Sequence, residues 1–228
     1  MTRPAQLRLN FDLRPALGGE DFLVAPNNCD AVAWLDRWPD WPSPVLTIYG
    51  PPGCGKSHLM QVFLAAGGVT KIGASELGTT EPHALLADAR ACAIDGVEAV
   101  LAAGRERELL HLYNVAAETG RKLLLTAHTA PVTWPLSIAD LRSRMGAGVA
   151  VEIGAPDDPL VAAVLVKLFA DRQLRVDGGV VTFLLSRMER SFDAARRMVA
   201  AIDEAAMAER RNITVPLVRK VLASVQPP

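Results

Sequence analysis

Residues 45–57 read VLTIYGPPGCGKS, and this stretch decides the fold of the chain. It opens with an apolar run, 45–49, of the kind that forms a strand buried on both faces of a sheet. The run continues into GxxxxGKS, from Gly50 to Ser57, and an apolar-periodic helix is predicted over 56–66. The motif therefore has the strand before it and the helix after it that a phosphate-binding loop requires.

The residue types of this loop indicate what it binds. Glycines let consecutive backbone N–H groups point at phosphate oxygens, and the start of the helix adds positive potential. We expect Lys56 to reach the β- and γ-phosphates of a nucleotide, and the Ser57 hydroxyl to join the shell of a Mg²⁺ ion. The predicted nucleotide-binding residues of the loop are Pro52, Gly53, Cys54, Gly55, Lys56, Ser57 and His58.

The composition excludes several classes of protein. Half of the 228 residues are hydrophobic and 21% are charged, which is enough for a core and unlike a disordered chain. The net charge of −1 predicts little direct DNA binding. Three cysteines without a CxxC pair suit a reducing cytoplasm, and four scattered histidines indicate no metal cluster. Without a signal peptide or an apolar membrane span, we expect a soluble cytoplasmic protein with no membrane association.

Strand and helix patterns alternate after the loop and then give way to helices alone. Strands are predicted at 70–73, 90–95, 122–127 and 149–153, with helical stretches at 81–87, 105–119 and 133–144 between them. This alternation predicts an α/β fold with a doubly wound parallel sheet. After APDDP at 155–159, helices are predicted at 160–172, 179–187, 192–210 and 216–225. The chain is therefore interpreted as a tail (1–13), an α/β domain (14–155) and a small all-helical domain (156–228).

Polar residues at the ends of the predicted strands complete the candidate site. Asp95 ends an apolar strand, where a carboxylate orients Mg²⁺ through its water shell. An enzyme that hydrolyses ATP usually has a second acid next, but this chain has Gly96, and the nearest acid is Glu98. Hydrolysis by the chain alone is therefore predicted to be weak or absent. Thr126, at the end of the next strand, is placed to sense a γ-phosphate or to hold the attacking water.

Two arginines precede the last strand of the predicted sheet. Arg142 and Arg144 lie in DLRSRMG, on a short predicted helix. An arginine at this place could reach a nucleotide held by a neighbouring subunit, as arginine fingers do. A surface ion pair explains the same pattern equally well.

In this order and spacing, the motifs resemble AAA+ proteins of the DnaA branch, and most closely the Hda-type regulatory inactivators of DnaA. The resemblance covers nearly the whole chain. Its pieces are DFLVAPNNCDAVAWL (21–35), GPPGCGKSHL (50–59), AIDGVE (93–98), KLLLTA (122–127), DLRSRMGAGVAVEI (140–153) and ITVPLVRKVL (213–222). The resemblance implies an AAA+ P-loop sheet followed by a helical lid, with ADP or ATP and Mg²⁺ as cofactors. It also places the nucleotide base near Leu23, Val24 and Asn28, of which Asn28 is a candidate cap for a helix over 30–38.

The same resemblance implies roles for three further positions. Thr126 matches sensor 1, and Arg144 matches the arginine finger that acts in trans on ATP held by DnaA. The sensor 2 position, an arginine in DnaA, falls on Asp193, with Arg196 and Arg197 about a turn later. This departure weakens the expectation that the lid reads a γ-phosphate.

The N-terminal tail carries a second binding motif. Its sequence QLRLNF, at 6–11, is similar to the sliding-clamp motif found at this end of Hda-type proteins. It implies the clamp, the β subunit of DNA polymerase, as a partner through Gln6, Leu7, Leu9 and Phe11; a frayed edge strand is the alternative. The chain ends with the lid-like helix, so the helix-turn-helix domain of DnaA is not expected.

The leading functional hypothesis is a regulator of chromosome replication initiation that is tethered to the clamp and promotes ATP hydrolysis on DnaA. One alternative is an autonomous AAA+ ATPase that acts as a helicase loader or another DnaA-like replication factor. A small P-loop kinase is a further alternative, but a kinase would insert an arginine-rich lid between core strands. The expected partners are DnaA, the clamp and, in a homo-oligomer, a second copy of the chain.

Overall fold

The computed structural model describes residues 23–209 and 211–225, and these divide into two compact units, 23–154 and 155–225. The first unit contains α1 (Cys29–Asp36), β1 (Val45–Tyr49), α2 (Lys56–Ala65), β2 (Val69–Lys71), α3 (Ala74–Leu77), α4 (Pro82–Leu86), β3 (Ala91–Ile94), α5 (Val97–Ala102), α6 (Glu106–Glu118), β4 (Lys122–Ala127), a 3-10 turn (Pro131–Thr133), α7 (Ala139–Ala147) and β5 (Val149–Glu152). The second unit contains α8 (Asp158–Asp171), α9 (Gly178–Leu185), α10 (Phe192–Glu209) and α11 (Val215–Val225).

The five strands form one parallel sheet in the order β2-β3-β4-β1-β5. The strand before the phosphate loop, β1, lies between β4 and β5, so that Ile48 is opposite Thr126 on one side and Val151 on the other. Because the strands are parallel, their carboxyl ends meet at one edge of the sheet. The turn at Gly50 and the carboxylate of Asp95 therefore come together beside Thr126.

Helices cover both faces of this sheet, as a doubly wound fold requires. Successive side chains of a strand point to opposite faces. Leu46, Ile48 and Leu124 accordingly pack with the buried residues of α1 and α2. Leu123 and Leu125 pack on the other face, against helices α3 to α7. The predicted α/β fold with a doubly wound parallel sheet is confirmed.

The second unit is helical throughout its described residues and has its own core. Leu165 and Phe169 of α8, Leu184 of α9 and Met198 of α10 are part of one buried cluster with α11. The side chain of Asp177 caps α9 by accepting a hydrogen bond from the Val180 N–H at 3.0 Å. Burial of one apolar face of each helix is therefore what holds this unit together.

Three features of the first unit differ from expectation. Helices α3 and α5 were not predicted, because runs of four and six residues are too short to show helical periodicity. Helix α7 continues to Ala147 rather than ending at Arg144. Asn28 occupies the position before α1, but its side chain makes no capping hydrogen bond there, so the predicted cap is wrong.

In the part of the chain that the structure describes, every helix is too short or too polar to cross a lipid bilayer.

Candidate nucleotide-binding site

The phosphate loop begins at a position that only glycine can occupy. Gly50 has φ +154°, and a Cβ added there would lie 2.1 Å from the backbone oxygen of Ile153, just past β5. The Gly50 N–H donates to the carbonyl of Ala127 at the end of β4, at 3.2 Å. The loop is therefore wedged between the ends of the two strands that flank β1, which fixes where its N–H groups point.

Lys56 is held inside this loop. The residue is only 8% exposed. Its Nζ atom donates hydrogen bonds to the carbonyl of Gly50 at 2.7 Å and to that of Pro51 at 2.9 Å. The Sγ atom of Cys54 lies 3.7 Å from Nζ. Burial raises the pKa of the Cys54 thiol, and the nearby Lys56 charge offsets only part of this effect. Cys54 therefore stays protonated and acts as a small apolar group behind the loop.

Asp95 connects three elements at the edge of the sheet. Its Oδ1 accepts hydrogen bonds from Thr126 Oγ1 at 2.8 Å and Ser57 Oγ at 3.1 Å, and its Oδ2 accepts one from Lys71 Nζ at 3.3 Å. Burial, the largest single effect, would raise the pKa of Asp95. The three hydrogen bonds and the Lys71 charge together outweigh burial and lower this pKa. Asp95 is therefore an anion throughout the neutral range.

Lys71 is the member of this cluster that sequence reasoning missed. It is the last residue of β2, and its charge lies at the same sheet edge as Asp95. A lysine within the strand predicted at 70–73 was the available signal. The pairing of β2 with β3, which brings the two residues together, could not be read from the sequence.

These residues fit a nucleotide with Mg²⁺. The ion prefers oxygen ligands and usually keeps several waters, with one or two protein groups and phosphate oxygens completing its shell. Ser57 and Asp95 supply such oxygens at one point, 3.1 Å apart. The described residues contain no group of three His, Cys, Asp or Glu side chains that would hold a metal by itself. Ser57 and Asp95 would accordingly share the ion with the phosphates.

The position after Asp95 has an unusual backbone. Gly96 has φ +77°, in the left-handed region that favours glycine, and its N–H donates to Thr126 Oγ1 at 2.8 Å. Thr126 thus joins Asp95 and the start of α5.

The side chain of Glu98, two residues after Gly96, has one bonded and one unbonded oxygen. Its Oε1 accepts a hydrogen bond from the His128 N–H, while its Oε2 is buried without a partner among the described residues.

The segment predicted to lie near the base is held by Asn28. This residue is buried, its Oδ1 accepts from the Ala25 N–H at 2.9 Å, and its Nδ2 donates to the Leu23 carbonyl at 3.0 Å. Leu23 and Val24 are half-buried. The Asn28 amide therefore shapes the turn that presents Leu23 and Val24, and their contact with a base stays a prediction.

Arg144 and Arg142 both lie on α7 but make different contacts. Arg144 Nε donates to Asp140 Oδ1 at 2.8 Å, and the guanidinium carbon lies 5.2 Å from the centroid of the Tyr113 ring. Arg142 Nη2 instead donates to the carbonyl of Leu136, just before the helix. Among the described residues, Arg144 thus contacts α6 and α7 rather than the phosphate loop of its own chain.

The start of α7 is capped from the neighbouring helix α6. Glu106 Oε2 accepts hydrogen bonds from the Ser137 N–H at 2.9 Å, the Ser137 hydroxyl at 3.0 Å and the Ile138 N–H at 3.1 Å. Burial would raise the pKa of Glu106, but these hydrogen bonds and the Arg142 charge outweigh it and lower the pKa. A charged Glu106 therefore satisfies the otherwise unpaired donors at the start of α7.

The remaining candidate positions are distributed as follows. Pro52 is exposed on the loop, while Gly53, Gly55 and His58 are half-buried. On α10, Asp193 accepts a hydrogen bond from Arg196 at 3.1 Å, so the expected sensor 2 position carries an acid that is paired within its own helix. The predicted clamp-binding residues Gln6, Leu7, Leu9 and Phe11 lie outside the described residues.

Comparison with known proteins agrees with this architecture. Residues 158–222 match the family model of the Hda lid domain. The replication initiator DnaA of Thermomicrobium roseum is 28% identical over 83% of this chain, which spans 46% of the length of that protein. Domain III of the Thermotoga maritima initiator DnaA superposes with a TM-score of 0.81 at 18% identity, over 95% of this chain and 99% of that one. The chain therefore has the fold of DnaA domain III, and its residues 158–222 form an Hda-type lid.

A further DnaA-related structure concerns the ligand. AMPPCP-bound DnaA from Aquifex aeolicus superposes with a TM-score of 0.67 at 20% identity, over 84% of this chain and 66% of that chain. AMPPCP is an ATP analogue bound to that protein, and the likeness shows that the two chains share a fold. The small-kinase alternative does not fit an AAA+ fold in which the helical unit follows β5.

Proposed function

We propose that the chain binds ADP or ATP with Mg²⁺, is tethered to the sliding clamp by Gln6–Phe11, and promotes ATP hydrolysis on DnaA. One observation carries the proposal. Ser57, Asp95 and Thr126 meet at one point beside the phosphate loop, and Asp95 is followed by Gly96, in a left-handed conformation, where a hydrolysing enzyme has its second acid. Such a site holds a nucleotide as a structural element better than it turns one over. The Hda-type lid and the DnaA-like core support replication initiation as the setting.

Nucleotide binding at this site depends on Lys56. On binding, its ammonium would leave the carbonyls of Gly50 and Pro51 for the β- and γ-phosphates. Mg²⁺, when bound, would neutralise phosphate charge beside Ser57 and Asp95. We predict that Lys56→Ala abolishes binding of a fluorescent ADP analogue and that Lys56→Arg restores only part of it, because a planar guanidinium does not fit the buried ammonium position. Undiminished binding by Lys56→Ala in a fluorescence titration would contradict the site.

Arg144 is the residue proposed to act on the partner. In the hydrolysis of DnaA-bound ATP, the oxygen of a water molecule bonds to the γ-phosphorus, and the bond from that phosphorus to the β–γ bridging oxygen breaks. ADP leaves, and the proton of the water passes to solvent or a base on DnaA. Negative charge develops on the phosphoryl oxygens and the leaving oxygen, and a guanidinium from a neighbouring subunit stabilises it.

The test is a hydrolysis assay on ATP-bound DnaA with clamp loaded on DNA. We expect Arg144→Ala to lower the stimulated rate by roughly 10³-fold or more, as for other fingers that act in trans, and Arg144→Lys to restore little of it. Arg142→Ala is the matched control, because Arg142 is bonded to the Leu136 carbonyl of its own chain. Loss of stimulation in Arg142→Ala with full stimulation by Arg144→Ala would assign the finger to the other arginine. Full stimulation by both variants would reject the mechanism in trans.

A second candidate, an autonomous ATPase, is favoured by one observation at Glu98. Its buried, unpartnered Oε2 lies 3.9 Å from where a Cβ at Gly96 would be, close to the place of the missing acid. A carboxylate there could take the proton of an attacking water. The rate at which the pure protein hydrolyses ATP decides between an autonomous ATPase and a regulator of DnaA. Rapid hydrolysis that is lost in Glu98→Gln supports the ATPase, and very slow hydrolysis in both forms supports the regulator.

A further inference from the structure

The contacts of Arg144 come from two directions. Asp140 lies one helical turn earlier on α7 and accepts the Nε–H at 2.8 Å, while Tyr113 of α6 presents its ring 5.2 Å from the guanidinium carbon. An aromatic face attracts a guanidinium by cation–π interaction and can stack on its plane. Asp140 therefore holds the Nε side of the guanidinium, and Tyr113 contacts the same group from helix α6. Together they restrict a side chain that would otherwise sample many rotamers.

The contact with Asp140 leaves the terminal amino groups of Arg144 available for another acceptor. The ion pair with Asp140 uses Nε, so it does not occupy the two terminal Nη groups. The hydrogen bond to Asp140 is the main effect that raises the pKa of Arg144, with a further contribution from Tyr113, so the group stays charged. The side chain is 37% exposed, which lets solvent, or a docked partner, reach it. An arginine binds a phosphate best through the ends of its planar fork.

An ordinary surface ion pair does not account for both neighbours. The pair Asp140–Arg144 has the i, i+4 spacing and the order of charges that stabilise an isolated helix. It could form without any contribution from α6. Tyr113 instead belongs to the same helix whose Glu106 caps the start of α7. Helix α6 thus fixes both the beginning of α7 and the side chain near its end.

The geometry points to Asp140 and Tyr113 as positioning residues, which hold the Arg144 guanidinium in advance so that its terminal amino groups face a partner's phosphate. The inference rests on the proposed function of Arg144 as a finger acting in trans. Holding the group before the complex forms removes part of the ordering that binding the transition state would otherwise require. The expected consequence is a faster hydrolysis step, with little change in how tightly the chain docks on DnaA.

The experiment compares Asp140→Ala and Tyr113→Leu in the full-length chain, with Tyr113→Phe as the conservative variant. We expect each of the first two to lower the maximal stimulated rate by roughly tenfold, since a misplacement of about 1 Å can cost up to a hundredfold. The concentration for half-maximal stimulation should stay within about twofold of the unaltered value, because docking is unaffected. Tyr113→Phe keeps the ring and should keep most of the rate.

A spectroscopic measurement on the free protein tests the positioning directly. The Nε–Hε signal of Arg144 is assigned by its absence in Arg144→Lys. In the unaltered protein, the signal should be shifted from that of a free arginine and protected from exchange with water. Asp140→Ala should move it towards the free value and speed its exchange. An unmoved signal in Asp140→Ala overturns the inference.

The kinetic outcomes separate the inference from the function on which it rests. If Asp140→Ala and Tyr113→Leu stimulate like the unaltered protein while Arg144→Ala is inactive, the positioning is wrong and the proposed function stands. If Arg144→Ala also stimulates normally, both fail. A loss seen only in the half-maximal concentration indicates a docking role and overturns the inference.

Discussion

At the scale of single residues, the backbone at Gly96 disfavours any side chain, and hence an acid, beside Asp95. Its φ of +77° lies where a residue with a Cβ is strained by about 1–2 kcal/mol. The space around it is not the obstacle, because the nearest heavy atom to an added Cβ is Glu98 Oε2 at 3.9 Å. The cost of a side chain at this position is therefore conformational rather than steric.

A glycine substitution tests this account. We predict that Gly96→Ala lowers the free energy of unfolding by about 1–2 kcal/mol in a urea titration. Gly146→Ala is the matched control, because Gly146 lies within α7 and a Cβ there meets nothing within 4 Å. It should raise the free energy of unfolding by roughly 0.5–1 kcal/mol. Equal effects of the two substitutions would show that the conformation of Gly96 is not strained for alanine.

At the scale of elements, α7 depends on a charge that another helix supplies. The pKa of Glu106 is lowered below its ordinary value of 4.5, because its hydrogen bonds to Ser137 and Ile138 outweigh its burial. Its stabilising effect is therefore complete above pH 4.5 and is lost as the pH falls through the lowered value. Glu106 is only half-buried, so solvent moderates this contribution.

Hydrogen exchange can measure the cap directly. We predict that Glu106→Gln speeds exchange of the Ser137 and Ile138 amides by about fivefold at neutral pH, equivalent to about 1 kcal/mol. In the unaltered protein, the protection of these two amides should fall below pH 4.5. Glu108→Gln is the control on the same helix, because Glu108 pairs with Arg105 and not with α7. Unchanged exchange in Glu106→Gln would show that water caps α7 equally well.

The sequence predicted those elements whose pattern is local. The apolar run before the loop, the GxxxxGKS motif and Asp95 at a strand end each carry their own signal, and the parallel sheet follows from the alternation of strands and helices. The contact of Lys71 with Asp95 and the cap of Glu106 on α7 join residues that are distant along the chain. No periodicity or motif encodes such contacts, because they depend on strand order and helix packing. The predicted cap at Asn28 was wrong for a related reason. The side-chain amide of Asn28 forms hydrogen bonds with the backbone of Ala25 and Leu23, in the turn before α1, instead of with the first turn of the helix.

At the scale of the whole molecule, the tail and the nucleotide site are proposed to work independently. We predict that Gln6→Ala combined with Phe11→Ala abolishes association with the sliding clamp, since anchors of this kind each contribute on the order of 1–4 kcal/mol. Nucleotide affinity and the melting temperature should not change. Arg8→Ala with Asn10→Ala is the control, because these positions alternate with the anchors. Surface plasmon resonance on immobilised clamp measures the affinity of the unaltered chain and of the two double variants. Equal clamp affinity of the two double variants would reject the motif.

The position of β1 in the sheet also determines when the first unit can fold. Strand β1, residues 45–49, pairs with β4 and β5, which leave the ribosome much later. Strands β2 and β3 are synthesised before β4 and pair with each other. Until β4 is synthesised, the apolar strand that leads to the phosphate loop has neither of its neighbours. Pairing of this kind makes folding slow, and the nascent chain exposes an aggregation-prone segment for that interval. Synthesis of this protein should therefore depend on chaperones that bind extended apolar segments, and pauses in translation between residues 49 and 122 should lower the yield of folded chain.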